Sequence, residues 1–118
     1  MLCRQCEESV KGTGCTRNGV CGKNAALAEG QDALTGAIMA LCRSYSDAQY
    51  RDRVEPLVVD GLFMTLTNTN FDPIRISDAR EAADALRSEM APGSDGIGFS
   101  IQSLDDNEDL RCLKELLL

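Results

Sequence analysis

The sequence of 118 residues contains no histidine and no tryptophan, and it has only two tyrosines and three phenylalanines. Without histidine, no imidazole is present to act as a metal ligand, which excludes every site that needs one. With so few aromatic side chains, aliphatic residues must fill the hydrophobic core. The length suits one compact domain with a core of modest size, and a second full domain is not expected.

Basic residues are also scarce, with 12 Lys and Arg against 19 Asp and Glu and a net charge of −7. This balance argues against binding to nucleic acid or anionic lipid, because both need a clustered basic face. No apolar run approaches the roughly 20 residues that span a bilayer, and the N-terminus lacks the basic and apolar regions of a signal peptide. We therefore expect a cytoplasmic protein.

Cysteine is plentiful, and four of the six cysteines follow the spacing C-x2-C-x8-C-x5-C as Cys3, Cys6, Cys15 and Cys21. In a reducing cytosol, close-set cysteines are more often metal ligands or redox groups than disulfides. Four thiolates can hold an iron–sulfur cluster or a zinc ion without another ligand. Structural zinc usually takes two close pairs, and Cys15 and Cys21 make a poor second pair. The spacing thus favours iron–sulfur and leaves zinc, redox or disulfide roles open.

Residues 1–23 show neither helical nor alternating periodicity and are predicted to form a cysteine-rich loop around the metal. Because such a loop has little apolar surface to bury, we expect the metal to order it. Lys11 and Lys23 lie near the predicted ligands, where they either offset cluster charge or are ordinary surface lysines. Four glycines interrupt the segment, namely Gly12, Gly14, Gly19 and Gly22.

Residues 24–91 are predicted to form an all-α three-helix bundle. The first helix runs from Asn24 to Tyr45, and its Gly30 and Gly36 mark a close approach of helices. The second runs from Pro56 to Thr67 and, being apolar on most sides, should be the central and most buried helix. The third starts at Asp72 and Pro73 and ends before Pro92. The apolar stripe of the first helix comprises Leu27, Leu34, Ile38, Leu41 and Tyr45. That of the third helix comprises Ala79, Ala83, Leu86 and Met90.

Residues 92–105 are predicted to be a loop containing a short strand over 97–101, and residues 106–118 the truncated start of a further helix. The apolar side of that helix needs a partner; it comprises Leu110, Leu113, Leu116 and Leu117. Cys42 and Cys112 stand beside leucines and are interpreted as small buried hydrophobic residues. The acidic residues at the start of the last helix are interpreted as a solvated cap.

The residues around the cysteines resemble the N-terminus of hybrid cluster proteins, also called prismane proteins or hydroxylamine reductases. The resembling motifs are Cys3-Arg4-Gln5-Cys6-Glu7-Glu8, Lys11-Gly12-Thr13-Gly14-Cys15 and Gly19-Val20-Cys21-Gly22-Lys23. The likeness continues through the segments 62–72 and 107–118. It therefore covers essentially the whole chain, but only the first part of a usual family member.

The resemblance implies that Cys3, Cys6, Cys15 and Cys21 hold a 4Fe-4S cluster, because the wider spacing associated with a 2Fe-2S version is absent. The hybrid centre of the family, where substrate is reduced, is held by a histidine, glutamates and further cysteines whose motifs this sequence lacks. We therefore expect the chain to deliver electrons rather than to reduce hydroxylamine unaided.

Partners are also implied: an electron donor protein, and either a polypeptide that carries the remaining family domains or a second copy bound through the C-terminal leucines. Two alternatives from other classes stay open. One is a helical interaction module pinned by zinc and without redox activity, and the other is a bundle that holds no metal.

Overall fold

The computed structural model describes residues 3, 5–10, 12, 14–66 and 69–92, and within them the chain is all-α, as predicted. Three helices form the bundle: α1 (Ala25–Ser44), α2 (Arg51–Thr65) and α3 (Pro73–Met90). None of the helices in this described part is long and apolar enough to cross a membrane. The predicted strand and last helix, together with Cys112, fall outside the described residues.

Helix α1 packs against both other helices and is the most buried of the three, with eight buried residues against two in α2 and three in α3. Asn24 caps it, as its side-chain oxygen accepts a hydrogen bond from the backbone N–H of Leu27 at 2.8 Å. This bond satisfies one of the donors that a helix start leaves unpaired, which explains why the helix begins where the sequence predicts. The predicted apolar stripe is confirmed, because Leu27, Leu34, Ile38 and Leu41 are buried.

Helix α2 begins five residues earlier than predicted, at Arg51 instead of Pro56. The carboxylate of Asp47 accepts from the N–H of Gln49 at 2.9 Å and starts a 3-10 turn over Ala48–Tyr50 that leads directly into α2. Pro56 lies inside the helix, where it cannot donate to the carbonyl of Asp52. Because both residues are exposed, water can bind that carbonyl, and the proline is tolerated.

The prediction that the second helix is the most buried one is also wrong. Only Val54 and Gly61 of α2 are buried, whereas Val59 and Phe63 are 65% and 62% exposed. In a three-helix arrangement α2 packs on one side alone, so the apolar residues on its other side face outwards. The most buried helix is instead α1.

A close contact between α1 and α2 lies at Gly61 of α2, a residue that the sequence analysis does not single out. A Cβ atom built there would lie 2.5 Å from Cδ1 of Ile38, so a larger residue fits only if the Ile38 side chain moves. At Gly30, one of the two glycines predicted to mark such a contact, a Cβ would meet Ile76 at an ordinary 3.5 Å. The helices α1 and α2 are therefore held together around Gly61.

Helix α3 starts as predicted at the pair Asp72 and Pro73 and ends at Met90. The Asp72 carboxylate accepts hydrogen bonds from the N–H groups of Ile74, at 2.9 Å, and Arg75, at 3.4 Å. From α1, the buried amide of Gln31 donates to the carbonyls of Met64 and Asn70, both at 3.2 Å. This side chain ties the connection between α2 and α3 to α1. The predicted stripe on α3 is confirmed, with Ala83 and Leu86 buried and Ala79 and Met90 partly buried.

Candidate metal centre

Two of the four predicted ligands lie opposite one another in a small antiparallel bridge. The N–H of Cys3 donates to the carbonyl of Cys15 at 3.0 Å, and the N–H of Cys15 donates to the carbonyl of Cys3 at 2.9 Å. Gly14, directly before Cys15, has a φ of 59°, a left-handed conformation that favours glycine. The eight-residue gap in the motif therefore folds back and brings its first and third cysteines together.

Cys6 follows the bridge and precedes a short 3-10 turn, Glu7–Ser9. Its own backbone is extended, and the turn is closed by a hydrogen bond from the N–H of Val10 to the carbonyl of Glu7 at 3.0 Å. This turn is the one regular element in the described part of the predicted loop. The turn therefore begins directly after the second cysteine of the motif.

Cys21 lies in a tight turn that ends at the first helix. The N–H of Gly22 donates to the carbonyl of Gly19 at 2.9 Å, and the N–H of Gly19 donates to the carbonyl of Lys23. A Cβ atom added to Gly19 would lie 3.0 Å from the sulfur of Cys21 and 3.1 Å from Cβ of Lys23. The absence of a side chain at Gly19 thus makes the space that the Cys21 thiol occupies.

Lys23 connects the two halves of the loop and is not a surface lysine. It is only 3% exposed, and its Nζ donates to Oε1 of Gln5 at 2.8 Å. This bond joins the residue before Cys6 to the turn that holds Cys21. Within the described part of the chain, Lys23 forms no ion pair with a carboxylate. Lys11, the other lysine singled out from the sequence, lies outside the described residues.

The Lys23–Gln5 contact was missed at the sequence level because lysine is among the residues least often buried. The one feature of the sequence that could indicate the contact is position, because both Gln5 and Lys23 lie inside the cysteine motifs. The Cys3–Cys15 bridge is one connection across the loop, and the Lys23–Gln5 hydrogen bond is a second. Asn24 then joins this turn to α1, so the loop is fixed at one end of the bundle.

The four thiols are free, with Cys3, Cys6 and Cys15 partly buried and Cys21 exposed. Among the described residues, no three cysteine, aspartate or glutamate side chains lie close enough together to hold one metal ion. The donor chemistry nevertheless fits an iron–sulfur cluster, because this one segment carries four thiols, and thiolate sulfur is the ligand that such clusters take.

Cys42 is exposed on α1, which corrects the prediction that it is a buried hydrophobic residue. Each residue of a helix is turned by about 100° from the one before, so the neighbour of buried Leu41 points away from the core. The partial burial that remains raises the pKa of the Cys42 thiol. A protonated thiol on a helix, apart from the loop, is not a candidate ligand.

Comparisons with known proteins agree on one family. The family model described as Prismane/CO dehydrogenase matches residues 1–118. A hydroxylamine reductase of Maridesulfovibrio salexigens is 34% identical over 100% of this chain and 27% of its own length, and one of Chlorobaculum tepidum is 36% identical over 100% and 26%. Another, from Methanococcus vannielii, is 44% identical over 76% of this chain and 17% of its own length.

The chain thus spans about a quarter of the length of the curated relatives it matches. No solved structure matches it.

Proposed function

This chain belongs to the Prismane/CO dehydrogenase family, and on that premise we propose that it is the iron–sulfur, electron-transfer part of a hydroxylamine-reductase-like protein. Cys3, Cys6, Cys15 and Cys21 hold the cluster through their thiolates. A 4Fe-4S cluster bound there supplies one-electron transfer. The observation that carries the proposal is the folding of the cysteine motif into one cross-connected loop.

The contacts of the loop support a bulky anionic group as its natural occupant. The Cys3–Cys15 bridge and the Lys23–Gln5 hydrogen bond bring the segments of all four cysteines to one end of the bundle. Burying the ammonium group of Lys23 without a carboxylate partner costs free energy, unless another negative charge is close. Four thiolates around a cluster supply that charge. Lys23 then both fixes the loop and offsets part of the negative charge of the site.

Substrate reduction needs residues that this sequence does not contain. The relatives named hydroxylamine reductase are about four times as long as this chain, and the resemblance assigns their hybrid centre to a histidine and further cysteines. Because these 118 residues contain no histidine, we propose that electrons pass from a donor protein through the cluster to a hybrid centre whose ligands lie outside them.

Anaerobic reconstitution with iron and sulfide tests the cluster. We expect about four irons and four sulfides per chain, with a broad absorbance in the visible range and a paramagnetic signal on reduction. Cys15→Ser should abolish most of the bound iron, because it removes a ligand. Cys42→Ser is the matched control, since it makes the same change at an exposed helix position. Stoichiometric zinc without sulfide in anaerobically purified protein would instead support the interaction module.

The partner is tested by co-expression with a family polypeptide that carries the hybrid-centre ligands. If the proposal is right, the two chains co-purify, and the complex reduces hydroxylamine with electrons that enter through this chain. Cys15→Ser should stop the reduction and leave co-purification intact, which separates loss of the relay from loss of binding. An equally active complex with Cys15→Ser would refute the relay role.

A further inference from the structure

Large apolar side chains are exposed in the cysteine loop and around the connection between α2 and α3. The second half of α2 carries four of them, the connection and the first turn of α3 carry one each, and the loop carries two. Within the described part of the chain they are Val59, Leu62, Phe63, Leu66, Phe71, Ile74, Val10 and Val20. Exposed apolar surface is therefore unevenly distributed over the molecule.

These segments share one end of the bundle. Gln31, in the second turn of α1, donates to the carbonyls of Met64 and Asn70, so the end of α2 lies beside the start of α1. Leu27 of α1 packs in one cluster with Ile76 of α3, which places the start of α3 there too. The cysteine loop enters α1 at its cap, about 10 Å along the helix axis from Gln31. The candidate metal centre and the exposed apolar side chains thus lie at the same end.

The opposite end of the bundle has a different surface. Tyr45, Tyr50 and Met90 are partly buried there and pack against the core. Arg53 and Glu89 form an ion pair at 2.7 Å that joins the start of α2 to the end of α3. Apolar exposure is therefore not a general property of this small bundle. Its concentration at the end that carries the cysteines indicates a contact surface.

Helix α2 presents the largest group of these side chains on one side. Val59, Leu62, Phe63 and Leu66 recur at spacings of three and four residues, which places them together on the helix surface. They are 65%, 47%, 62% and 53% exposed. We call these four residues the outer α2 face. Gly61, on the opposite side of the helix, lies against α1, so the outer α2 face points away from the bundle.

We propose that the outer α2 face is the docking surface for the hybrid-centre part of the family fold, an inference that rests on the proposed function. This chain matches about a quarter of the length of its curated relatives, so most of each relative lies beyond the matching part. An apolar face suits a lasting contact, because permanent interfaces are more hydrophobic than brief electron-transfer encounters. The donor protein, which binds and leaves, is the less suitable occupant. Phe63 supplies the aromatic anchor that such interfaces use.

The position of the outer α2 face suits an electron relay. A relay has to hold its cluster near the acceptor, because electron transfer slows steeply with distance, and a contact at the cysteine end of the bundle does this. The same side of α2 continues to exposed Asp52, two helical turns before Val59. The matching surface should therefore be apolar at its centre, with a basic residue opposite Asp52 at its edge.

Phe63→Asp tests the proposal in the complex of this chain with a co-expressed family polypeptide that carries the hybrid-centre ligands. Recovery of that polypeptide with the chain should fall at least about tenfold, because a charge then stands at the centre of an apolar contact. Ala85→Asp is the matched control, since it adds the same charge at an exposed position of α3 in the other half of the bundle. Its recovery should not change.

Iron content and the helical signal separate this interface from the proposed function. Both should be normal in Phe63→Asp, because Phe63 is exposed and lies outside the cysteine loop. Undiminished recovery with Phe63→Asp would overturn the interface and leave the relay standing. A chain that binds no iron–sulfur cluster before any substitution would refute the proposed function itself.

A photo-crosslinking benzophenone side chain in place of Phe63 identifies what covers the outer α2 face. On irradiation of the complex we expect an adduct whose mass is the sum of this chain and the hybrid-centre polypeptide. The same side chain in place of Ala85 should give no such adduct. An adduct of twice the mass of this chain would assign the face to a second copy, and a cross-link within one chain would assign it to another segment of that chain. Either result, or no adduct from position 63, overturns the proposal.

Discussion

The helical bundle and the cysteine loop are held together by different forces. In the bundle, aliphatic side chains from all three helices are buried, and Leu34 and Leu41 have no exposed surface at all. In the described part of the loop, Val10 and Val20 are 83% and 74% exposed, and the contacts are hydrogen bonds between a few residues. The bundle therefore draws its stability from apolar burial, whereas the described part of the loop is held by hydrogen-bonded cross-connections.

The largest effect should come from a cavity in the bundle. Leu41→Ala removes a fully buried side chain from the cluster that also contains Val54 and Leu86, and we expect a loss of about 2–5 kcal/mol in the free energy of unfolding. Urea denaturation followed by circular dichroism measures it. A loss of this size is a large part of the stability of a small domain, so both regions should unfold together.

Ile74→Ala is the control for this variant. It also removes an aliphatic side chain, but from a position in α3 that is 69% exposed. Its unfolding free energy should stay within about 0.5 kcal/mol of the unaltered chain. If the two variants were equally destabilised, burial would not be the force that distinguishes the bundle.

A change at Lys23 should affect the loop and spare the bundle. Lys23→Met keeps a long side chain in the buried position but removes the hydrogen bond to Gln5 and the positive charge. We expect iron to be lost to a chelator about tenfold faster, in line with the loss of one buried polar interaction. The helical signal should not change. Arg17→Met, which removes a positive charge from an exposed position in the same loop, should retain iron normally.

The helix starts that sequence predicts well are those set by local chemistry. Asn24 and Asp72 each cap a helix with their own side chain, and Pro73 suits the first helical turn, so the signals lie within three residues of the boundary. The prediction for the start of α2 is wrong because Pro56 suits a helix boundary but here lies inside the helix. A proline on an exposed side, one turn into a helix, removes a hydrogen bond that water replaces.

Tertiary packing explains what the sequence could not predict. The apolar residues around α2 suggested a buried helix, but burial depends on which neighbours surround it, and α1 has more buried residues than α2. The buried state of Lys23 likewise depends on a partner 18 residues away in Gln5. For the site, the cysteines could be named from spacing and resemblance, whereas the pairing of Cys3 with Cys15 required the fold.

A smaller effect within the bundle should follow from loss of the cap on α3. Asp72→Ala removes the acceptor for the N–H groups of Ile74 and Arg75, and we expect a loss of about 1 kcal/mol in the free energy of unfolding. Asp78→Ala removes the same charge from an exposed position inside α3 and should have a lesser effect. Iron content should be unchanged in both variants. Loss of iron in Asp72→Ala would show that the loop depends on α3 more than its contacts suggest.

The smallest effect should be a pH dependence of the bundle that comes from Glu89. The hydrogen bonds from Arg53 lower the pKa of this carboxyl from its ordinary value of 4.5. A lowered pKa in the folded state stabilises the protein above the unfolded pKa, and this contribution disappears as the pH falls through the folded value. Glu89→Gln should therefore flatten the fall in stability below about pH 4.5, which acid titration of the unfolding free energy measures. Because Arg53 and Glu89 are exposed, high salt should reduce the difference in pH dependence between the unaltered chain and Glu89→Gln. If that difference were unchanged at high salt, a screened surface ion pair would not be its cause.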